Sequence, residues 1–148
     1  MRQLPYFKLS QLADKLIEQF NLQIIFTGIS EDKSQIQLVQ QSMKNSNVNL
    51  AGETTLTLLI AVLKNSILVI GPDTGTLHMA NAVGTPVLMY MGYSDPNDTG
   101  PYDLSNRSRV VVSDLDCIPC KYKNPKPILW ETCKINRPTA CMNTITVK

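Results

Sequence analysis

The run Ile67-Leu-Val-Ile-Gly-Pro-Asp-Thr-Gly-Thr-Leu-His78 joins a strand signal to a helix start through one tight turn. Ile67 to Ile70 is a short aliphatic, β-branched run of the kind that fills a strand buried on both faces. Gly71 and Pro72 are expected to stop that strand. Asp73 and Thr74 then stand where a side chain caps a helix running from Thr76 to Val83. A strand that turns directly into a helix leaves the first helical N–H groups without intrahelical partners, at the positive end of the helix dipole. The junction therefore suits an anion. Gly75 offers no side chain to keep a phosphate from the backbone, and His78 lies one turn into the helix. The same residues also fit a plainer role, with Asp73 as a cap and His78 as a hydrogen-bonded helix residue, and local pattern leaves both open.

Outward from that junction, strand and helix signals alternate with short connections. Lys8 to Phe20 carries Leu9, Leu12, Ala13, Leu16, Ile17 and Phe20 at helical spacing. Leu22 to Gly28 reads as a strand, Glu31 to Lys44 as a helix broken by Asn45-Ser-Asn47, and Val48 to Ala51 as a short strand. Thr55 is placed to cap a helix from Leu56 to Lys64. Beyond the central junction, Gly84 to Gly92 and Arg109 to Ser113 supply two more strands. The order implies an α/β domain with a mostly parallel sheet and helices on both faces. In such sheets ligands bind beyond the carboxyl ends of the strands. The loops there are residues 27–30, 51–54, 71–78 and 92–100, and all combine glycine with a carboxylate or hydroxyl. Neither G-x-G-x-x-G nor G-x-x-x-x-G-K-[ST] is present, which argues against the usual dinucleotide and P-loop classes.

With 148 residues, 43% hydrophobic and 18% charged, the chain has the balance of one globular domain, residues 1–148, with 112–148 as an irregular Cys- and Pro-bearing tail. A formal charge of +2 is too small to indicate nucleic acid. The tail is locally basic, with Lys121, Lys123, Lys126, Lys134, Arg137 and Lys148 set against Glu131, so peripheral contact with an anionic membrane stays open. No apolar run is long enough to span a bilayer and no signal-peptide core is visible, so a cytoplasmic location is expected. Cys117-x-x-Cys120, Cys133 and Cys141 are therefore read as thiols or metal ligands before disulfides. The second pair is spaced more loosely than in most zinc sites, and the three states stay open. No metal or cofactor is assigned, and Trp130 is expected to pack the tail onto the domain.

Asp73-Thr-Gly-Thr-Leu-His78, with Ala80-Asn-Ala-Val-Gly-Thr-Pro-Val87, Gly92-Tyr-Ser-Asp-Pro96 and Thr99-Gly-Pro-Tyr102, closely resembles the C-terminal half of glycosyltransferase family 9, the lipopolysaccharide heptosyltransferases. Leu50-Ala-Gly-Glu-Thr-Thr-Leu56 and the four cysteines look like that family too. The resemblance implies the Rossmann-like C-terminal domain of a GT-B fold, which binds a nucleotide-sugar donor, typically ADP-heptose, for inverting transfer to the lipopolysaccharide core. Asp73, Thr74, Gly75 and His78 match the D-T-G-x-x-H motif that holds the diphosphate and sugar. Glu53 matches an acidic position that meets the nucleoside. Arg2, in Arg2-Gln-Leu-Pro5, stands where the family carries a lysine that contacts donor phosphate; the charge is kept and the geometry is not. The family's acceptor half, with its carboxylate base, lies outside the resemblance, so no catalytic residue is assigned. The expectation is a donor-binding half that transfers sugar poorly by itself and works with a separate acceptor-domain chain. A fragment, a split-gene product and a remnant all fit that pattern. The alternatives are a non-catalytic nucleotide-sugar-binding module that acts only with a partner chain, and a metal-binding Cys tail on an inert scaffold.

Overall fold

The computed structural model describes residues 3–103, 105, 107–120, 133 and 140–147. Contacts group the chain into two units, Leu4–Leu59 with Thr146–Lys148, and Met1–Gln3 with Ile60–Ile145.

In the first unit, α1 (Tyr6–Phe20) starts two residues before Lys8, because Pro5 at its N-cap already holds a helix-compatible φ of −53°. Asn21 ends it in the left-handed conformation, φ 53°, with its N–H on the Ile17 carbonyl. β1 (Ile25–Phe26) pairs in parallel with β2 (Val48–Asn49). Between them a 3₁₀ turn, Ser30–Asp32, precedes α2 (Lys33–Ser42), so the helix is shorter at both ends than the expected Glu31 to Lys44. The C-terminal end is set by Asp14 of α1. Its buried carboxylate accepts from the Lys44 N–H at 2.9 Å, the Asn45 N–H at 3.0 Å and Asn45 Nδ2 at 2.9 Å. Burial raises this carboxyl, but the bonds from Lys44 and Asn45 outweigh it and hold it below its ordinary range.

α3 (Leu56–Lys64) leads into the second unit, with Thr55 Oγ1 accepting from the Leu58 N–H at 3.2 Å as the cap pattern anticipates. A three-stranded sheet follows, ordered β3 (Val69–Pro72), β4 (Val87–Met91), β5 (Arg109–Val112), with both pairings parallel. The central strand is β4, whose Val87, Met89, Tyr90 and Met91 are buried. β3 departs from expectation. It is an edge strand, half-buried, shifted to include Gly71 and Pro72, and Ile67 before it is 69% exposed. Proline is tolerated at the last residue of an edge strand, where its missing N–H breaks no ladder. Gly71 is needed for a different reason than a turn. A Cβ there would lie 2.6 Å from Leu77 Cδ2, so its absence lets α4 (Gly75–Ala82) pack buried Leu77 onto the strand end.

α4 closes in a Schellman turn, with the Gly84 N–H on the Asn81 carbonyl and the Thr85 N–H on the Ala80 carbonyl. Gly84, at φ +84°, belongs to that turn rather than to the strand that the sequence suggested. After β4, Asp95 caps the short helix α5 (Pro96–Thr99) by accepting from the Asn97 N–H at 2.8 Å. Near the end of the tail, α6 (Ala140–Thr144) buries Met142 against Gly92, where a Cβ would come within 2.6 Å of Met142 Cε. Trp130 lies outside the described residues. No helix among the described residues is long and apolar enough to cross a membrane.

Candidate functional site

Because the second unit's strands are all parallel, the loops after β3 and β4 leave the sheet at one edge. They meet at Asp73. Its Oδ2 accepts from Thr99 Oγ1 of α5 at 2.9 Å, and its Oδ1 lies 3.2 Å from His78 Nε2 of α4. The Ser94 hydroxyl donates to the same carboxylate. Burial raises the Asp73 carboxyl, and the hydrogen bonds from Thr99, Ser94 and His78 more than reverse that, leaving it ionised below its ordinary range.

Asp73 is therefore not the helix cap that the local pattern offered. The N-cap is Thr74, extended at φ −146° and ψ 161°, and no side chain caps α4. Thr74 Oγ1 instead donates to the Pro72 carbonyl at 3.4 Å, while the Thr74 carbonyl accepts the N–H groups of Leu77 and His78. Gly75 and Thr76 supply the first helical N–H groups, which no intrahelical carbonyl can reach. A Cβ added at Gly75 would meet no atom within 4 Å, so the side of the helix start at Gly75 is open. The His78 side chain is 41% exposed and the Asp73 side chain 17%. His78 and residues 96–102 line an open cavity of about 590 Å³, within the range of small-ligand sites. Tyr102 on its wall is 98% exposed.

Just past the last lining residue, Tyr102, the chain is held by Asn81, a residue to which the sequence pattern assigns no role. Its Nδ2 donates to the Asp103 carbonyl at 2.8 Å and to Ser108 Oγ at 3.1 Å, and its Oδ1 accepts from the Asp103 N–H at 2.8 Å. Ser108 Oγ also accepts from the Val87 N–H, which ties the loop to β4. A polar amide on the inner face of a helix is the one signal that could have pointed to it, since buried polar groups need partners.

Asp73, Thr74, Gly75 and His78 are thus brought together. Glu53 belongs to the first unit, where the loops after β1 and β2 meet, with the Gly52 N–H on the Gly28 carbonyl. There Glu53 forms an exposed ion pair with Lys33 at 2.6 Å, and that contact lowers its carboxyl pKa. Arg2 lies outside the described residues. All four cysteines are free thiols. Burial, and then the nearby Cys117, Cys141 and Cys133, push the Cys120 thiol up to about 11, which favours the protonated form. Among the described residues no group of three or more His, Cys, Asp or Glu is arranged to hold a metal ion.

Residues 5–128 match the model of glycosyltransferase family 9 (heptosyltransferase). The chain is 33% identical over 99 residues to the lipopolysaccharide core heptosyltransferase OpsX of Haemophilus influenzae, covering 65% of this chain and 28% of that protein. It is 27% identical over 111 residues to lipopolysaccharide heptosyltransferase 2 of Escherichia coli, covering 72% of this chain and 31% of the relative. The solved structure of E. coli ADP-heptose LPS heptosyltransferase II superposes with a TM-score of 0.66 at 27% identity, over 74% of this chain and 33% of that one. A family 9 glycosyltransferase from Veillonella parvula shares the fold, with a TM-score of 0.69 at 24% identity over 74% of this chain and 31% of its own. The chain spans less than a third of the length of these two curated relatives.

Proposed function

The chain belongs to glycosyltransferase family 9, the heptosyltransferases, and on that premise we propose that the start of α4 binds the diphosphate of an ADP-heptose-like sugar donor. One observation carries this reading: an uncapped helix N-terminus with open space over Gly75 and a half-exposed His78 one turn in, beside a cavity of about 590 Å³. Helix N-termini supply fixed N–H donors and a favourable dipole for phosphate oxygens. In transfer from a nucleotide diphosphate, negative charge grows on the leaving group. Donors already aimed at that charge stabilise it without reorganising, and His78 can add to them.

In this proposal Thr74, Gly75 and His78 meet the diphosphate, and Asp73 completes the motif. Glu53 and Arg2 enter through the family resemblance, as contacts to the nucleoside and to phosphate respectively. Lys33 now occupies the Glu53 carboxylate, but an exposed pair of this kind is weak and a ribose hydroxyl can displace it. Acceptor binding and the carboxylate base would come from protein outside these 148 residues, in the same chain or in a partner, in assembly of the lipopolysaccharide core on the cytoplasmic side. Without them the expected behaviour is donor binding with little transfer, since positioning and general-base help together account for many orders of magnitude.

Calorimetric titration with ADP, ADP-heptose and UDP-glucose tests the reading. The expected result is a Kd between about 1 µM and about 1 mM for both ADP compounds, roughly −8 to −4 kcal/mol, with UDP-glucose at least about tenfold weaker. No heat from either ADP compound at millimolar concentration would overturn it.

A further inference from the structure

We propose that the free edge of β3 receives one further strand, parallel to β3 and built of uncharged aliphatic residues, from the protein that supplies the acceptor half. The source of that strand rests on the donor-half reading above, whereas the edge is a feature of the sheet itself. Among the described residues β3 pairs with β4 and with no other strand. The Val69 N–H goes to the Pro86 carbonyl at 3.0 Å, so the backbone groups of Leu68 and Ile70, one residue to either side, are directed away from β4. Pro72 continues that outward set and has no N–H to offer, which marks where a further ladder would end.

Three observations say what belongs on this edge. The first is composition. Exposed edges are usually guarded by charge, proline or a bulge, yet Ile67 to Gly71 carries no charge and no proline, and its register with β4 is unbroken. A continuous aliphatic run is the mark of a parallel strand with neighbours on both sides. Here Ile67 is 69% exposed, and Leu68, Val69 and Ile70 are only half-buried. A charged strand laid beside them would lose water without gaining a partner, so aliphatic residues fit the edge.

The second observation is strand order. Doubly wound sheets commonly run 3-2-1-4-5-6. In the second unit β3-β4-β5 match 4-5-6, and in the first unit β2-β1 match 3-2. Strand 1, the neighbour of 4, has no counterpart among the described strands, and its place is beside β3. The third observation is the path of the chain. Each of α2 and α3 follows one strand and leads to the next, as crossover helices between parallel strands must. α1 leads into β1 in the same way, and Gln3, shortly before it, groups with the unit that holds β3. A strand feeding α1 is therefore placed to run beside β3 and in the same direction, where main-chain bonds would hold it.

The probe is an N-terminal extension of the full chain, about six alternating valines and isoleucines joined to Met1 by a short glycine-serine linker. The control carries proline at every second position of the extension. Amide hydrogen exchange followed by nitrogen-15 NMR reads Val69 and Ile70 separately. In the 148-residue chain the Ile70 amide is expected to exchange at least about tenfold faster than that of Val69. The aliphatic extension should slow Ile70 at least about tenfold and the proline control should not, with both proteins monomeric by light scattering. Ile70→Pro removes an N–H that faces away from β4, so the variant should fold, and the extension should no longer raise its urea midpoint. If Ile70→Pro fails to fold, Leu68→Pro replaces it on the same reasoning.

Three results would overturn the proposal. Ile70 exchanging as slowly as Val69 in the monomeric chain would show that the edge is already paired. Ile70 protected only where light scattering reports a dimer would make a second copy the occupant. An aliphatic extension no more protective than its proline control would show that β3 accepts no parallel strand. No nucleotide enters these readouts, so a failure of ADP to bind would remove the donor reading, and with it the named source of the strand, without altering them.

Discussion

Replacing Asn81 with alanine isolates the support of the cavity wall from the surface that meets the ligand. The side chain is 4% exposed and makes three hydrogen bonds, at 2.8, 2.8 and 3.1 Å, to Asp103 and Ser108. Each is worth about 1 kcal/mol net, and the fully buried Ser108 loses a donor that no water can replace at once. The sum is about 3 kcal/mol. For a chain of this size that corresponds to a fall in Tm of roughly 10 °C, measurable by calorimetry and by urea titration followed by far-UV circular dichroism. Ser108→Ala breaks one of the same bonds and leaves the Val87 N–H without its acceptor, so about 2 kcal/mol is expected. The two changes should couple by about 1 kcal/mol in a double-mutant cycle, because they share a bond. Well below the unfolding transition, Asn81→Ala should still bind ADP, with a loss no greater than about tenfold, since it disturbs the wall and not the α4 terminus. A destabilisation under about 1 kcal/mol would refute the reasoning, because the 101–108 connection would then be held by something other than Asn81.

Gly75→Val should leave the unfolding free energy within about 1 kcal/mol of wild type, since a Cβ there meets nothing within 4 Å, yet cost more than about tenfold in ADP affinity by occupying the phosphate's approach. Gly71→Ala should do the reverse damage, about 1–3 kcal/mol in chemical denaturation, because the new methyl collides with buried Leu77 at 2.6 Å. Asp14→Ala should cost about 3 kcal/mol at neutral pH by stripping the Lys44 and Asn45 N–H groups of their acceptor. The Asp14 carboxyl sits below its ordinary value of 3.8, so its contribution is complete above that pH and is lost as pH falls through the lower folded value. The gap between wild type and Asp14→Ala in denaturation midpoints should therefore close at acid pH. A constant gap would show that Asp14 acts by packing alone.

Local pattern was enough for features decided by local chemistry. The alternation of strands and helices implied parallel pairing, and Thr55 advertised its cap. The errors fall where contacts between distant residues outrank propensity. Gly71 and Pro72 read as strand breakers, but the ladder to Met89 and Tyr90 carries β3 through both. Asp73 sits in a cap position and has the right chemistry for one, yet Thr99, 26 residues away, claims its carboxylate. Asn81 is the clearest case. Its amide is meaningful only once Asp103 and Ser108 have been folded against α4, and no helical period contains that information.

Backbone amide NMR of nitrogen-15-labelled protein, titrated with ADP, tests the proposed diphosphate site most directly. The N–H groups of Gly75 and Thr76 should show the largest shifts, with His78 beside them, and the same residues should respond to inorganic pyrophosphate. Shifts centred elsewhere, with Gly75 and Thr76 unmoved at saturation, would contradict the placement of the donor at the start of α4.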